Sequence, residues 1–293
     1  MLNKVRIHQF FYLILSLFLI FVTQRNTAFN IADVNSSLAI LFLIIMSLGV
    51  SHGAADSIVI WKTFPRFKLK ALAFLIYLLI VFLGLILWFQ SPMIGLVLLL
   101  LMSMAHFGQS DLSYLVRASQ SIKISWGCVM TLLPVIFFEN DVKLIFDSLV
   151  DSDLNPKVFE ILKFITIIFI GSFLFLLYIH KGITKKDKFI LVLEFLVTVI
   201  LASLLSPIYW FTFYFCFFHG LRALINIGIK SFREIIFLIA FTLPVTFFSY
   251  FFLFHNLQIS YLTIIFSVLM ALTISHMFLP LINRLLLSNF KNR

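Results

Sequence analysis

The run 71-ALAFLIYLLIVFLGLILWFQ-90, the pair Ser91-Pro92 and the run 93-MIGLVLLLLMSMAHFGQSDLSYLV-116 decide the fold. About 20 apolar residues, rising 1.5 Å each, cross the roughly 30 Å hydrocarbon core of a bilayer, and each run is long enough. The Ser-Pro pair between them is either a tight turn between two spans or a kink. The pattern continues outward in both directions. Apolar windows read against charged or Pro-containing breaks place helices at 7–23, 37–61, 71–90, 93–116, 124–138, 158–180, 189–205, 207–229, 235–254 and 259–287. In lipid, such segments satisfy their own backbone hydrogen bonds only as helices or closed barrels.

Composition agrees: 62% of the 293 residues are hydrophobic, 12% are charged and the mean hydropathy is +1.12. The loops are too short for a soluble domain. The reading is an all-α, polytopic transmembrane helix bundle of about ten spans, a single transmembrane domain over 1–293 in the cytoplasmic membrane. The net charge of +10 would suggest nucleic acid in a soluble chain, but here the excess Lys and Arg flank the spans. It reads as topology, and no nucleic-acid partner follows. With a cytoplasmic N-terminus and C-terminus, the inside segments carry 17 Lys and Arg against 3 outside, which are Arg25, Lys143 and Lys157. The longest loop, about 139–157, carries Glu139, Asp141, Asp147, Asp151 and Asp153 and falls outside.

Lys4, Arg6 and the apolar run to about Val22 have the outline of a signal peptide, yet Thr23-Gln24-Arg25-Asn26 offers no small-x-small cleavage site. The segment is read as a retained first helix. Cys128 and Cys216 fall on different spans and imply no disulfide framework.

Four histidines lie inside apolar spans: His52, His106, His219 and His276. In the ten-span topology all four helices run from outside to inside. Counted from the expected cytoplasmic ends, the histidines sit about 9 to 10 residues in, near the midplane of a ~30 Å core. Four imidazoles at one depth either meet at a transition metal such as iron, copper or zinc, or each hydrogen-bonds across helices. His8, His180 and His255 fall at expected span ends or in loops and are read as solvated.

Polar neighbours extend the pattern. Asp56 lies one turn beyond His52 and suits an acceptor that orients an imidazole. Asp111 lies about 140° round the helix from His106 and is expected to pair elsewhere or to reach for the interface. Arg222, three residues past His219, is too costly in a membrane to stand alone, with Asp56, Asp111 and Glu194 as candidate partners. Cys216 shares the His219 face and reads as a small core residue. Pro280 cannot donate to the carbonyl of His276. Phosphate-loop, HExxH and GxSxG motifs are absent from the sequence.

The segments His52-Gly-Ala-Ala-Asp56, His106-Phe-Gly-Gln-Ser-Asp111, His219-Gly-Leu-Arg222 and His276-Met-Phe-Leu-Pro280, in that order, resemble the Brp/Blh family of membrane β-carotene 15,15'-dioxygenases over about 45–285. The resemblance implies an enzyme that uses iron(II), Fe2+, and O2 to cleave the central double bond of β-carotene to retinal. It further implies metal ligation by His52, His106 and His219. Two positions depart from the family pattern: Ala223 stands where HxxRH has its second histidine, and Ser57 stands where the first motif often ends in histidine. His276 then completes a four-histidine site, three histidines suffice, or metal binding has been lost. Asp56, Asp111 and Arg222 are expected to support the ligands. The expected partners are the lipid bilayer, a hydrophobic carotenoid and O2. The rival expectations are a non-catalytic carotenoid or retinal binding or assembly relative, and a transporter whose buried charges line a pathway. The 38 phenylalanines offer apolar walls without marking a substrate tunnel.

Overall fold

The computed structural model describes residues 2–25, 40–229, 231–254 and 261–291. Among them every regular element is helical: α1 (Leu2–Arg25), α2 (Val50–Ala54), α3 (Asp56–Thr63), α4 (Phe67–Gln90), α5 (Pro92–Asp111), α6 (Gln120–Leu132), α7 (Pro134–Phe137), α8 (Glu139–Val150), α9 (Pro156–Ile179), α10 (Lys185–Leu204), α11 (Pro207–Phe213), α12 (Leu221–Ile227), α13 (Phe232–Phe254) and α14 (Tyr261–Lys291). A widened π-turn, Ile45–Gly49, precedes α2, and a second, Tyr214–Gly220, joins α11 to α12. Among the described residues, six stretches are long and apolar enough to cross a membrane: Asn3–Gln24, Phe67–Gln90, Pro92–Asp111, Pro156–Ile179, Pro207–Ile227 and Leu262–Ser288.

The breaks follow local chemistry. Pro92, Pro134, Pro156 and Pro207 each open a helix, where the missing N–H costs nothing. Ser119, Asn155 and Thr184 cap the following helix with a side-chain oxygen. Ser91 and Ser206 leave helical geometry, so both Ser-Pro pairs are true breaks and not kinks. Pro280 by contrast sits within the continuous helix α14.

Two expectations about boundaries are corrected. The span expected to run to Val116 ends at Asp111, because the chain turns at Leu112–Tyr114 before Ser119 caps α6. Counted to the observed helix ends, His106 is five residues from Asp111 and His276 is fifteen from Lys291, so helix ends do not set one common depth. The expected loop 139–157 contains α8, whose Val142, Leu149 and Val150 are buried on one face while Glu139 and Asp141 favour its N-terminal dipole. Lys143 bonds Asp147 at 2.6 Å and also Asp153. That bond and the Leu154 N–H hold the Asp147 carboxyl below the ordinary aspartate range.

The chain divides into two compact units, one of residues 1–41 and 103–226, the other of 42–102 and 227–293, with the division inside α5. In the first unit α1 packs on α10, and α9 on α6. There α5 and α6 cross at Gly108 and Gly127: a Cβ on Gly108 would lie on the Lys123 carbonyl, and one on Gly127 on the Met104 carbonyl. Small residues let backbones approach this closely. In the second unit α4 packs along α14, closest at Gly84, where an added Cβ would lie 3.0 Å from the Ala271 Cα. Ile60, Phe64, Leu69, Ala73, Tyr77, Leu279, Ile282 and Leu286 form a core beside this contact.

Overpacking costs typically about 1–3 kcal/mol. Gly108→Ala and Gly127→Ala are therefore expected to lower the detergent Tm by several degrees. Gly171→Ala, with open space around its Cβ, is expected to leave it unchanged or slightly raised, since alanine in a helix gains roughly 0.5–1 kcal/mol over glycine. Equal losses in all three would remove the close crossing as the cause.

Candidate functional site

In the first unit, the C-terminal end of α5 presents His106 and Asp111 to the π-turn that carries His219. A regular α-helix repeats every 3.6 residues, and the π-turn adds a residue to the turn, shifting the face on which its side chains emerge. His219 is fully buried there, and its Nδ1 lies 2.8 Å from Asp111 Oδ1. Asp111 is itself fully buried. Its Oδ2 accepts from the Tyr214 hydroxyl and from Trp126 Nε1, the latter at 3.1 Å. With Tyr214 and Trp126 donating to Asp111, the hydrogen-bond network assigns the donor role at this contact to His219 Nδ1, which turns Nε2 to the other side.

His106 stands next to it, with ring centroids 4.9 Å apart and planes at 74°. Phe107 lies 4.6 Å from the His219 ring, and Phe215 stacks on it at 5.8 Å. Trp210, Tyr214 and Phe218 form a stacked ladder at 5.3 and 5.4 Å along the same segment. The surroundings of the imidazoles are apolar and aromatic, which restricts water.

Arg222, also fully buried, pairs with Glu194 on α10 through Nη2 to Oε1 and, at 3.5 Å, through Nη1 to Oε2. Of the three candidate carboxylates, Glu194 is the one it meets. Asp111 contributes its main-chain carbonyl, 3.4 Å from Nη1, and this is one of the carbonyls that the end of α5 leaves without an intrahelical donor. Phe218 covers the guanidinium at 4.0 Å from the ring centroid. Gln9 Nε2 donates to Glu194 Oε2 at 3.2 Å and to the Tyr114 hydroxyl at 3.0 Å.

His8, expected to be solvated, is instead buried, 4% exposed, on α1. It bonds the Phe217 carbonyl at 2.9 Å and faces Arg222 Nη2 at 3.4 Å. The reason is that α1 packs its polar side, His8, Gln9 and Tyr12, into the unit, with Tyr12 on Thr198 at 2.8 Å. His180 bonds the Arg117 carbonyl at 2.7 Å, and His255 lies outside the described residues.

The second unit holds a parallel arrangement. Asp56, at the start of α3 and 2% exposed, receives His276 Nδ1 at 2.8 and 2.9 Å. Asp56 thus orients an imidazole, that of His276 on α14. The backbone of His52 lies in α2, and its side chain lies outside the described set. Cys128 and Cys216 are both buried.

Among the described residues no group of three or more His, Cys, Asp and Glu is placed to hold one metal ion. Within the first unit, His106 and His219 are brought together, and the donor set suits a metal that favours neutral imidazole. A histidine bonded through Nδ1 to a carboxylate is the usual arrangement behind a metal ligand, because the carboxylate fixes tautomer and ring orientation. Tyr214 and Trp126 were not singled out in the sequence, and His8 was read there as solvated at a span end.

A family model for β-carotene 15,15'-dioxygenase matches residues 43–282. A β-carotene 15,15'-dioxygenase of uncultured marine bacterium 66A03 is 30% identical over 190 residues. That match covers 61% of this chain and 65% of the relative. No solved structure matches the chain. The family match takes in all four histidine segments, from His52 to Pro280, in their expected order, and leaves α1 outside. On that match, the chain belongs to the β-carotene 15,15'-dioxygenase family.

Proposed function

We propose that this chain is a membrane-embedded, iron-dependent dioxygenase that cleaves the central double bond of β-carotene with O2, giving two molecules of retinal. The single observation that carries the reading is the Asp111–His219 pair at 2.8 Å with His106 beside it, in a chain of this family. On this geometry His219 and His106 would be iron(II) ligands, and His52 and His276 are further ligand candidates on their motifs alone; Asp56 orients His276 as Asp111 orients His219. Three protein ligands are enough for iron(II) chemistry with open positions, so Ala223 does not by itself exclude activity.

When bound, iron(II) supplies the one-electron chemistry that lets O2 react with a closed-shell alkene. The chain's own residues do the rest. Asp111, held by Tyr214 and Trp126, keeps His219 Nε2 as the donor atom. Phe107, Phe215 and the Trp210–Tyr214–Phe218 ladder exclude water that would divert a reactive intermediate. The reaction balances without an outside reductant: one C=C bond and one O2 become two aldehydes. No protein acid or base is required. A bilayer-soluble polyene would reach the site laterally, through a bundle of ten spans with both termini in the cytoplasm.

A second reading rests on Ala223: a carotenoid- or retinal-binding relative, or an assembly factor, that has lost iron. A transporter is the third. The deciding experiment is anaerobic purification in detergent, loading with iron(II), and O2-started conversion of β-carotene followed by chromatography. Retinal is expected from the unaltered protein, with a loss of at least about 100-fold in His219→Ala, in the range of removing a group essential to the site. Absence of both product and bound iron selects the binding relative, and substrate-dependent ion flux in proteoliposomes selects the transporter. Asp111→Asn, which keeps the shape but not the charge, is expected to weaken iron(II) binding about 10–100-fold. An anaerobic titration checks this, and unchanged affinity would sink the orienting role of Asp111.

A further inference from the structure

We infer that His8, on a helix outside the family match, is a positioning residue that sets the Asp111–His219 pair. The inference rests on the proposed iron site and adds to it a part that none of the four histidine motifs contains. His8 is 4% exposed and makes two contacts of opposite sense. Phe217 presents a carbonyl, which only accepts, so His8 Nε2 donates to it at 2.9 Å. Arg222 presents only donors, so His8 Nδ1 accepts from Nη2 at 3.4 Å. Both contacts together require the neutral imidazole with its proton on Nε2.

Those contacts hold the two segments that the Asp111–His219 pair must span. Phe217 belongs to the π-turn and lies two residues before His219. Arg222 reaches the Asp111 carbonyl with Nη1, capping the end of the helix that carries His106 and Asp111. Glu194 accepts from both terminal guanidinium nitrogens, Nη1 and Nη2. Take His8 away and Nη2 loses one of its side-chain acceptors while the Phe217 carbonyl loses the imidazole donor, both in a buried, low-dielectric place where a lost partner is strongly felt. The guanidinium is then free to settle toward Glu194, and the cap on Asp111 shifts with it. The effect reaches His219 through Asp111, so His8 acts on the site without touching it.

The test compares His8→Leu, which removes both contacts, with His8→Gln, whose amide keeps a donor and an acceptor side by side. Protein labelled with 15N-histidine is followed in detergent by the downfield Nδ1 proton of His219, assigned by its disappearance in His219→Ala. Anaerobic Co2+ titration gives the second readout. The expected result is that His8→Leu shifts or exchanges away the His219 proton and weakens Co2+ binding about 10–100-fold. His8→Gln is expected to restore both. A lower Tm in His8→Leu with the proton and the Co2+ affinity unchanged would overturn the positioning role and leave ordinary packing. If His8→Leu does not fold, His8→Gln decides alone: a folded His8→Gln that has lost the His219 proton overturns the inference, and one that keeps it supports it. Unaltered protein that binds no Co2+ while its His219 proton responds to His8 would refute the metal reading and leave the positioning role standing.

Discussion

A buried carboxylate must have every oxygen hydrogen-bonded, and at Asp111 that requirement brings three helical segments together. Trp126 comes from α6, Tyr214 and His219 from the π-turn, and Asp111 itself ends α5. In a medium with little water, an unmet acceptor of this kind is expensive enough to decide how helices pack. The apolar surfaces of the same helices can pack in many ways and specify far less. The Gly108–Gly127 crossing belongs to the same constraint, since it lets α5 and α6 approach closely enough for Trp126 to reach the carboxylate.

The buried Arg222–Glu194 pair plays a different part. Removing charges of this type from water is costly, and replacing such a pair by well-packed apolar residues is often neutral or stabilising. Its presence here is better explained by what the guanidinium also touches: the end of α5, the His8 ring and the face of Phe218. Each unit then repeats one device, a histidine followed about a turn later by an aspartate that holds a histidine from another helix. Asp111 holds His219 in one copy, with His106 five residues before it, and Asp56 holds His276 in the other, with His52 four residues before it in the sequence. Position 223, where the family motif has its second histidine, is a buried alanine one turn past His219.

Much of the helical architecture was legible because it depends on local chemistry. Apolar run lengths located the helices, and the prolines and capping residues marked where they begin. The order of the histidine motifs carried the family. The partners of the charges were harder. Asp111 was expected to pair away from His106, and its angle around the helix explains why, but nothing in the sequence pointed to His219, Tyr214 and Trp126 together. The end of α5 at Asp111 was missed because Leu112, Tyr114, Leu115 and Val116 are apolar and read as more of the span. His8 was misread for a similar reason: a histidine near a span end is ordinary, and only the packing of α1 on α10 shows that it is enclosed. The amphipathic α8 was hidden by its acidic residues, which resemble a solvated loop.

The π-turn at Tyr214–Gly220 has a consequence for how relatives are to be compared. A π-turn is a single extra residue absorbed by an otherwise regular helix, so it leaves a mark in length as well as in shape. A relative with an unbroken α-helix in this place would carry one residue fewer between Pro207 and His219, and its histidine could meet the same aspartate only if the helix were rotated. Gap-free alignment across this stretch would then pair aromatic residues that point about 100° apart around the helix. Where such a relative is aligned, the one-residue gap belongs within Tyr214–Gly220, at the turn that points one imidazole toward one carboxylate.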